Sequence, residues 1–303
     1  MPAYRVAGGQ VSLLHRGGFY DKAFEVACGN CIGCRIEHAR QWAVRLMHEN
    51  ECHEDSCFIT LTYDDDHLPP LDSLDVRHWQ LFAKAVRRYM GNRHKIDPSL
   101  PKSFRFYHCG EYGERTLRPH YHALVFGTAF LEDRRLVKSH PSRLFASDTL
   151  DRLWGRGNCW IGDVTYASAN YVAGYILKKI KGELADSHYA VVNEATGEVL
   201  GHRKPEYSTM SRRPGIGKLW LDRFGDQVYP RDEVIVKGRA VRPPKYYDKQ
   251  IFKEQPDLEE RLRKKRLTGT AKYAEHQTRE RRDVRHEKAQ LDRRIFLREP
   301  EDK

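Results

Sequence analysis

The sequence lacks any apolar run approaching the roughly 18 residues that a membrane-spanning helix needs, so no such helix is expected. Met1 to Phe19 alternate polar and apolar residues without a continuous apolar core, and do not read as a secretory signal. An even set of cysteines is missing too. There are 7, and three crowd into Cys28-x-x-Cys31-x-x-Cys34, so an extracellular disulfide framework is not expected. No internal repeat stands out. The absences together point to a reducing, cytosolic setting.

What is present is an ordinary globular balance with a basic excess. Hydrophobic residues make up 40% of 303, enough for a core. Lys+Arg number 53 against 42 Asp+Glu, a net charge of +11, which suits a polyanionic partner without proving one.

Residues 1–30 read as an irregular or short-stranded arm. Ile36, Trp42, Leu46 and Met47 form a helical stripe over Ile32 to Asn50. Cys57 to Tyr63 alternates as a strand. A helix is expected from an Asp75 N-cap to Met90, stopped by Gly91. Phe104 to Cys109 and His120 to Phe126 read as strands. Ser142 to Trp154 reads as a helix ended by Gly155, Cys159 to Thr165 as a fourth strand, and Ser168 to Ile180 as a strong helix ended by Gly182.

The order β-α-β-β-α-β predicts an α+β fold, a ferredoxin-like or RRM-like antiparallel sheet whose first and third strands are central neighbours. Both helices should cover one face, and the helix that carries Tyr171 should lie over the other. Four regions follow: an arm with the cysteine cluster and a helix (1–56), the core (57–182), a loop-rich extension that contacts DNA (183–250), and a charged tail (251–303). The tail holds 16 Lys/Arg against 12 Asp/Glu, and reads as a solvated helix with disordered parts rather than the main contact to DNA.

Three constellations carry chemistry. In Arg118-Pro-His-Tyr-His-Ala-Leu-Val125 the period of two puts His120 and His122 on one strand face. Glu111, one hairpin arm away, can fold back beside His120, with Glu114 as the fallback. Two imidazoles and a carboxylate leave coordination positions open and suit Mg²⁺ or Mn²⁺. A bare His-x-His pair that only hydrogen-bonds is the competing reading.

In the second, Tyr171, Tyr175 and Lys178 share a helix face at i, i+4 and i+7. A pair of tyrosines is commonly core, but a nearby metal site favours a nucleophilic role. A phenol, with a pKa near 10, needs a cation and a Lewis acid to attack phosphate at neutral pH. The third, Cys28, Cys31, Cys34 and His38, can make a Cys₃His structural Zn²⁺ site, with Cys52 and His48 as rival fourth ligands. An iron–sulfur run would need a fourth cysteine that does not follow. Three reduced thiols in a turn is the plain alternative. Arg212 and Arg213, beside a Gly/Pro turn and followed by Lys218, can grip a phosphate backbone, or form an ordinary surface turn.

His120-Tyr121-His122 and Tyr171-x3-Tyr175-x2-Lys178 resemble the motifs of two-tyrosine HUH endonucleases. The fuller set is similar to replication initiators of the gokushovirus branch of the microviruses: Cys28-Gly-Asn-Cys-Ile-Gly-Cys-Arg35, Arg40-Gln-Trp-Ala-Val-Arg45, Phe58 to Tyr63, Gly110-Glu-Tyr-Gly113, Arg118 to His122, and Ser211-Arg-Arg-Pro-Gly-Ile-Gly217. It spans roughly residues 27–220. The resemblance implies a rolling-circle initiator that nicks single-stranded origin DNA, stays on the 5′ phosphate and later rejoins the strand. It implies Glu111 as third ligand, Lys178 against the scissile phosphate, and the cytoplasm of an infected bacterium; the basic residues Arg118, Arg212, Arg213 and Lys218 are read beside it as the DNA contacts. A host polymerase and a host helicase are the implied partners, since no Walker motif is present. Two rivals stay open: a metal-dependent hydrolase using the same histidines, which would leave no covalent adduct, and a non-catalytic DNA-binding or packaging protein, which would bind without cutting.

Overall fold

A computed structural model describes residues 2–5, 11–13, 24–174 and 182–296. The chain forms two compact units, one of residues 39–267 and one of 1–38 with 268–303. The larger unit is built on a seven-stranded sheet. Its strands are β1 (Ser56–Thr62), β2 (Arg105–Tyr112), β3 (Pro119–Phe126), β4 (Arg135–Lys138), β5 (Leu144–Ala146), β6 (Cys159–Gly162) and β7 (Tyr207–Met210), in the spatial order β7-β2-β3-β1-β6-β5-β4. Every neighbouring pair is antiparallel.

Strands β2-β3-β1-β6 reproduce the expected ferredoxin-like order, with β1 and β3 side by side from Ser56↔Phe126 to Thr62↔His120. Period-two alternation then sorts the side chains onto two faces. Ile59, Leu61, Tyr121, Ala123 and Val125 point to one, where helices α2 (Val76–Ile96) and α3 (Asp148–Trp154) supply Trp79, Phe82, Val86, Leu150 and Trp154. Leu124, Phe126, Tyr107 and Cys109 point to the other. There Ala39, Ala43 and Leu46 of α1 (Ile32–Asn50) and Ala169, Val172 and Ala173 of α4 (Tyr166–Gly174) pack on them. The second face is therefore covered by two helices, not by the tyrosine-bearing one alone.

Other differences have local causes. Helix α2 runs through Gly91 to Ile96, because an isolated glycine costs about 1 kcal/mol of helix propensity and lacks the steric block of proline. The expected helix from Ser142 divides. Leu144–Ala146 joins the sheet beside β6, and α3 starts only after Ser147, whose hydroxyl caps it by accepting from Leu150 N. Gly155 ends it at φ +61°, as expected. Strand β7 was not foreseen at all. It pairs with β2 from Tyr207↔Gly110 to Met210↔Tyr107, across about a hundred residues of intervening chain that include the hairpin 190–192/199–202.

After β7 come helices α5 (Lys218–Val228) and α6 (Lys245–Glu254), and a charged helix over Pro256–Ala271. The start of that charged helix is docked rather than solvated. Leu258 and Leu262 are buried, and the Arg266 guanidinium bonds the carboxylates of Asp232 and Asp248. In the smaller unit Pro2–Arg5 pairs with Val11–Ser12 and with Phe24–Glu25, and Arg279–Phe296 is a helix. No helix among the described residues is long and apolar enough to cross a membrane.

Candidate metal and nucleophile site

Glu111 is register-paired with His120 across the β2–β3 hairpin, and His122 with Thr60 across β3–β1. All four side chains share the sheet face that α4 crosses. Glu111 Oε1 lies 2.7 Å from His120 Nε2 and 2.8 Å from His122 Nε2. The three donor groups fall within 4.8 Å of one another. Two ligands at right angles on an ion with bonds of about 2.1 Å sit about 3 Å apart, so the three donors fit one face of a divalent ion's octahedral shell.

The surroundings select the ligating atoms. His120 Nδ1 is 3.2 Å from the Arg118 carbonyl, which can only accept, so Nδ1 carries the proton and Nε2 faces Glu111. His122 Nδ1 is 3.0 Å from Thr60 Oγ1. When that hydroxyl accepts, the His122 Nε2 lone pair is left for an ion. Burial by itself raises the Glu111 carboxyl, but the two imidazoles outweigh it and hold it at about 2. Glu111 is thus an ionised, buried donor at neutral pH.

Tyr171 sits on α4 between the buried Ala169, Val172 and Ala173 and is itself half-buried. Its ring meets His122 edge-on, with centroids 5.3 Å apart, and meets Phe58 at 6.3 Å. Phe58 in turn stacks on His122 at 5.3 Å. The alternating stretch Phe58-Ile-Thr-Leu-Thr62 therefore has a visible task. Phe58 and Thr60 wedge and orient His122, while Ile59 and Leu61 fill the opposite core. Tyr175 and Lys178 lie outside the described residues.

Arg118 stays beside the donor set. Its Nη1 donates to Asp65 Oδ1 at 2.6 Å and its Nη2 to the Tyr63 carbonyl at 3.0 Å, bracing the end of β1. Arg212 and Arg213 are exposed on the turn that follows β7, and Lys218 pairs with Asp222. These three are not brought to the donor set. Ser211 bonds Phe106 at both backbone positions, five residues before Glu111, or about 17 Å along β2.

That turn is firmly built, by residues that sequence reasoning missed. Glu49 is fully buried. Its Oε2 accepts from Gly217 N at 2.6 Å, and its Oε1 accepts from Arg105 Nε. Arg105 also donates to the Pro214 carbonyl at 2.9 Å, and Arg45 to the Ile216 carbonyl at 3.0 Å. A signal was available. Glu49 falls on the face of α1 that carries Ala39, Ala43 and Leu46, where a carboxylate needs a partner.

The cysteines gather before and within the first turn of α1. Cys28 Sγ and Cys34 Sγ are 3.9 Å apart, and Cys31 N donates to Cys28 Sγ at 3.2 Å. The backbone N–H of Cys31, followed by that of Asn30, pulls the Cys28 thiol down to about 6. His38 is exposed and outside the three-thiol group. His48 is buried, with Nδ1 2.9 Å from the Tyr247 hydroxyl, and Cys52 Sγ donates to the His48 carbonyl.

A family model described as replication-associated protein ORF2/G2P matches residues 56–180, which contain the donor set and Tyr171. The chain is 32% identical over 243 residues to replication-associated protein VP4 of Bdellovibrio phage phiMH2K, spanning 78% of this chain and 70% of that one. It is 30% identical over 242 residues to replication-associated protein ORF2 of Spiroplasma virus 4, spanning 77% and 69%. A shorter match, 32% over 162 residues, is to replication-associated protein ORF4 of Chlamydia phage 1. No solved structure matches the chain.

Proposed function

We propose that this chain, which belongs to the microvirus-like phage replication-associated proteins, nicks one DNA strand at a viral origin and later rejoins it. Membership in that family places it in viral DNA replication. The chemistry proposed beyond that rests on one observation above others: the Tyr171 ring packs edge-on against His122, so a phenol-bearing side chain adjoins the Glu111–His120–His122 donors.

In this reading Glu111, His120 and His122 hold Mg²⁺ or Mn²⁺, which when bound polarises the scissile phosphate. Tyr171, or Tyr175 four residues later in the sequence, bonds to phosphorus through its phenolic oxygen as the bond to the neighbouring 3′ oxygen breaks. The phenol proton passes to solvent, and the departing oxygen takes one up as a 3′-OH. Lys178 stabilises phenolate character. The 5′ phosphate remains on tyrosine, and the adduct keeps the bond energy, so reversal rejoins the strand without ATP.

Arg212 and Arg213, exposed on the turn after β7 and away from the donor set, then contact the DNA backbone at a distance from the scissile phosphate. Arg118 acts closer in, bracing the end of β1. Host polymerase extends the 3′-OH and a host helicase opens the duplex.

The test incubates the full chain and Mn²⁺ with supercoiled DNA carrying its own origin. Nicking with a DNA-linked protein band is expected, lost when Tyr171→Phe and Tyr175→Phe are combined. Nicking that survives the pair, or leaves no linked band, overturns the tyrosine mechanism in favour of hydrolysis.

A further inference from the structure

We infer that Cys28, Cys31 and Cys34 form a second metal site, one that takes Zn²⁺ with His38 turned in as the fourth ligand. The site is built from one short segment of the smaller unit and uses none of the residues of the Glu111 centre. Three features carry it.

The first is spacing in space. The three sulfurs lie within 4.8 Å of one another, and those of Cys28 and Cys34 are 3.9 Å apart. A tetrahedral ion with bonds of about 2.3 Å to sulfur sets sulfurs about 3.8 Å apart, whereas a disulfide needs about 2.05 Å. The observed separation therefore suits thiolates around a common ion. The second is the backbone. Cys31 N donates to Cys28 Sγ at 3.2 Å, so the turn wraps around the first sulfur instead of leaving it to side-chain packing. Gly29, at φ +76°, allows that turn.

The third is the helix that follows. Cys34 lies in the first turn of α1 and His38 four residues later, on the same face. His38 is exposed, so its ring can rotate without disturbing a core, and exposed Cys31 leaves a path for the ion. Binding replaces the thiol protons, which pass to solvent. Among soft ligand sets, three thiolates and an imidazole favour zinc over the hard ions that suit the carboxylate-bearing Glu111 centre.

The experiment measures metal content of the full chain after dialysis against Mg²⁺, together with cobalt titration of the metal-free protein. A single zinc per chain is expected in the native protein, in Glu111→Ala and in Cys52→Ser. Cobalt should give thiolate charge-transfer and tetrahedral bands. Cys28→Ser and Cys34→Ser should lose the zinc, and His38→Ala should release it at chelator concentrations that the native chain withstands. The cobalt titration needs no variant, so a variant that fails to fold does not leave the site undecided. Absence of thiophilic metal, iron with acid-labile sulfide, or zinc retained in both cysteine variants overturns the site. Unchanged retention and cobalt bands in His38→Ala overturn the fourth ligand.

Discussion

Two buried carboxylates on the same side of the sheet meet different company. Glu111 is 1% exposed and Glu49 0%. Glu49 is answered by a guanidinium that never loses its charge and by the amide of Gly217, with His53 Nε2 at 3.2 Å. Those partners close it, and the result is a strut under the arginine turn. Glu111 is answered by His120 and His122, imidazoles whose Nε2 atoms face it and can each offer a lone pair. A carboxylate whose partners can also act as metal ligands is a place where a cation can enter. The difference between a strut and a centre lies in the neighbours, not in the carboxylate.

That contrast can be broken most forcefully at Glu111. Glu111→Ala is expected to lower origin nicking about 10²- to 10³-fold, equivalent to about 3–4 kcal/mol, while thermal unfolding moves little. Glu49→Ala should do the reverse. Removing it leaves Arg105 partly buried without its carboxylate, at a cost of about 3 kcal/mol, so thermal denaturation should show a Tm lower by about 10 °C.

Glu49 also predicts an acid limb. Burial acts to raise its carboxyl, but His53, Arg105 and the Gly217 amide together hold it below the usual carboxylate value. A group depressed on folding stabilises above its unfolded pKa of about 4.3, and that stability is lost as pH falls toward the folded value. Denaturant unfolding of Glu49→Gln between pH 6 and pH 3 should therefore be flatter than that of the native chain. The smallest effect is expected from Thr60→Val, which keeps the shape but frees the His122 tautomer. About 10-fold more Mn²⁺ should be needed for half-maximal nicking, with kcat at saturation changing less.

Local chemistry explains what could be read in advance. Helix α1 matches its expected limits because a stripe, with no proline or interior breaker other than Gly33, decides it. The β1–β3 pairing followed from element order, and the closeness of Glu111 to His120 from a short hairpin. What stayed hidden was non-local. Strand β7 finds β2 across some hundred residues, and Gly217 finds Glu49 at a separation of 168. Neither leaves a periodic mark. The stretch from Ser142 was misread because Leu144 fits a helical stripe and a sheet edge equally well, and pairing with β6 decided between them.

Strand β7 has a consequence for any attempt to isolate the nicking unit. It covers the outer edge of β2 from Tyr107 to Gly110. A fragment ended near residue 182 would uncover a row of unsatisfied backbone donors and acceptors on the very strand that carries Glu111. Bare edges of this kind recruit strands from other molecules. The smallest well-behaved piece of this protein therefore extends through β7 and the turn that locks it, and shorter pieces are expected to aggregate before they can be assayed.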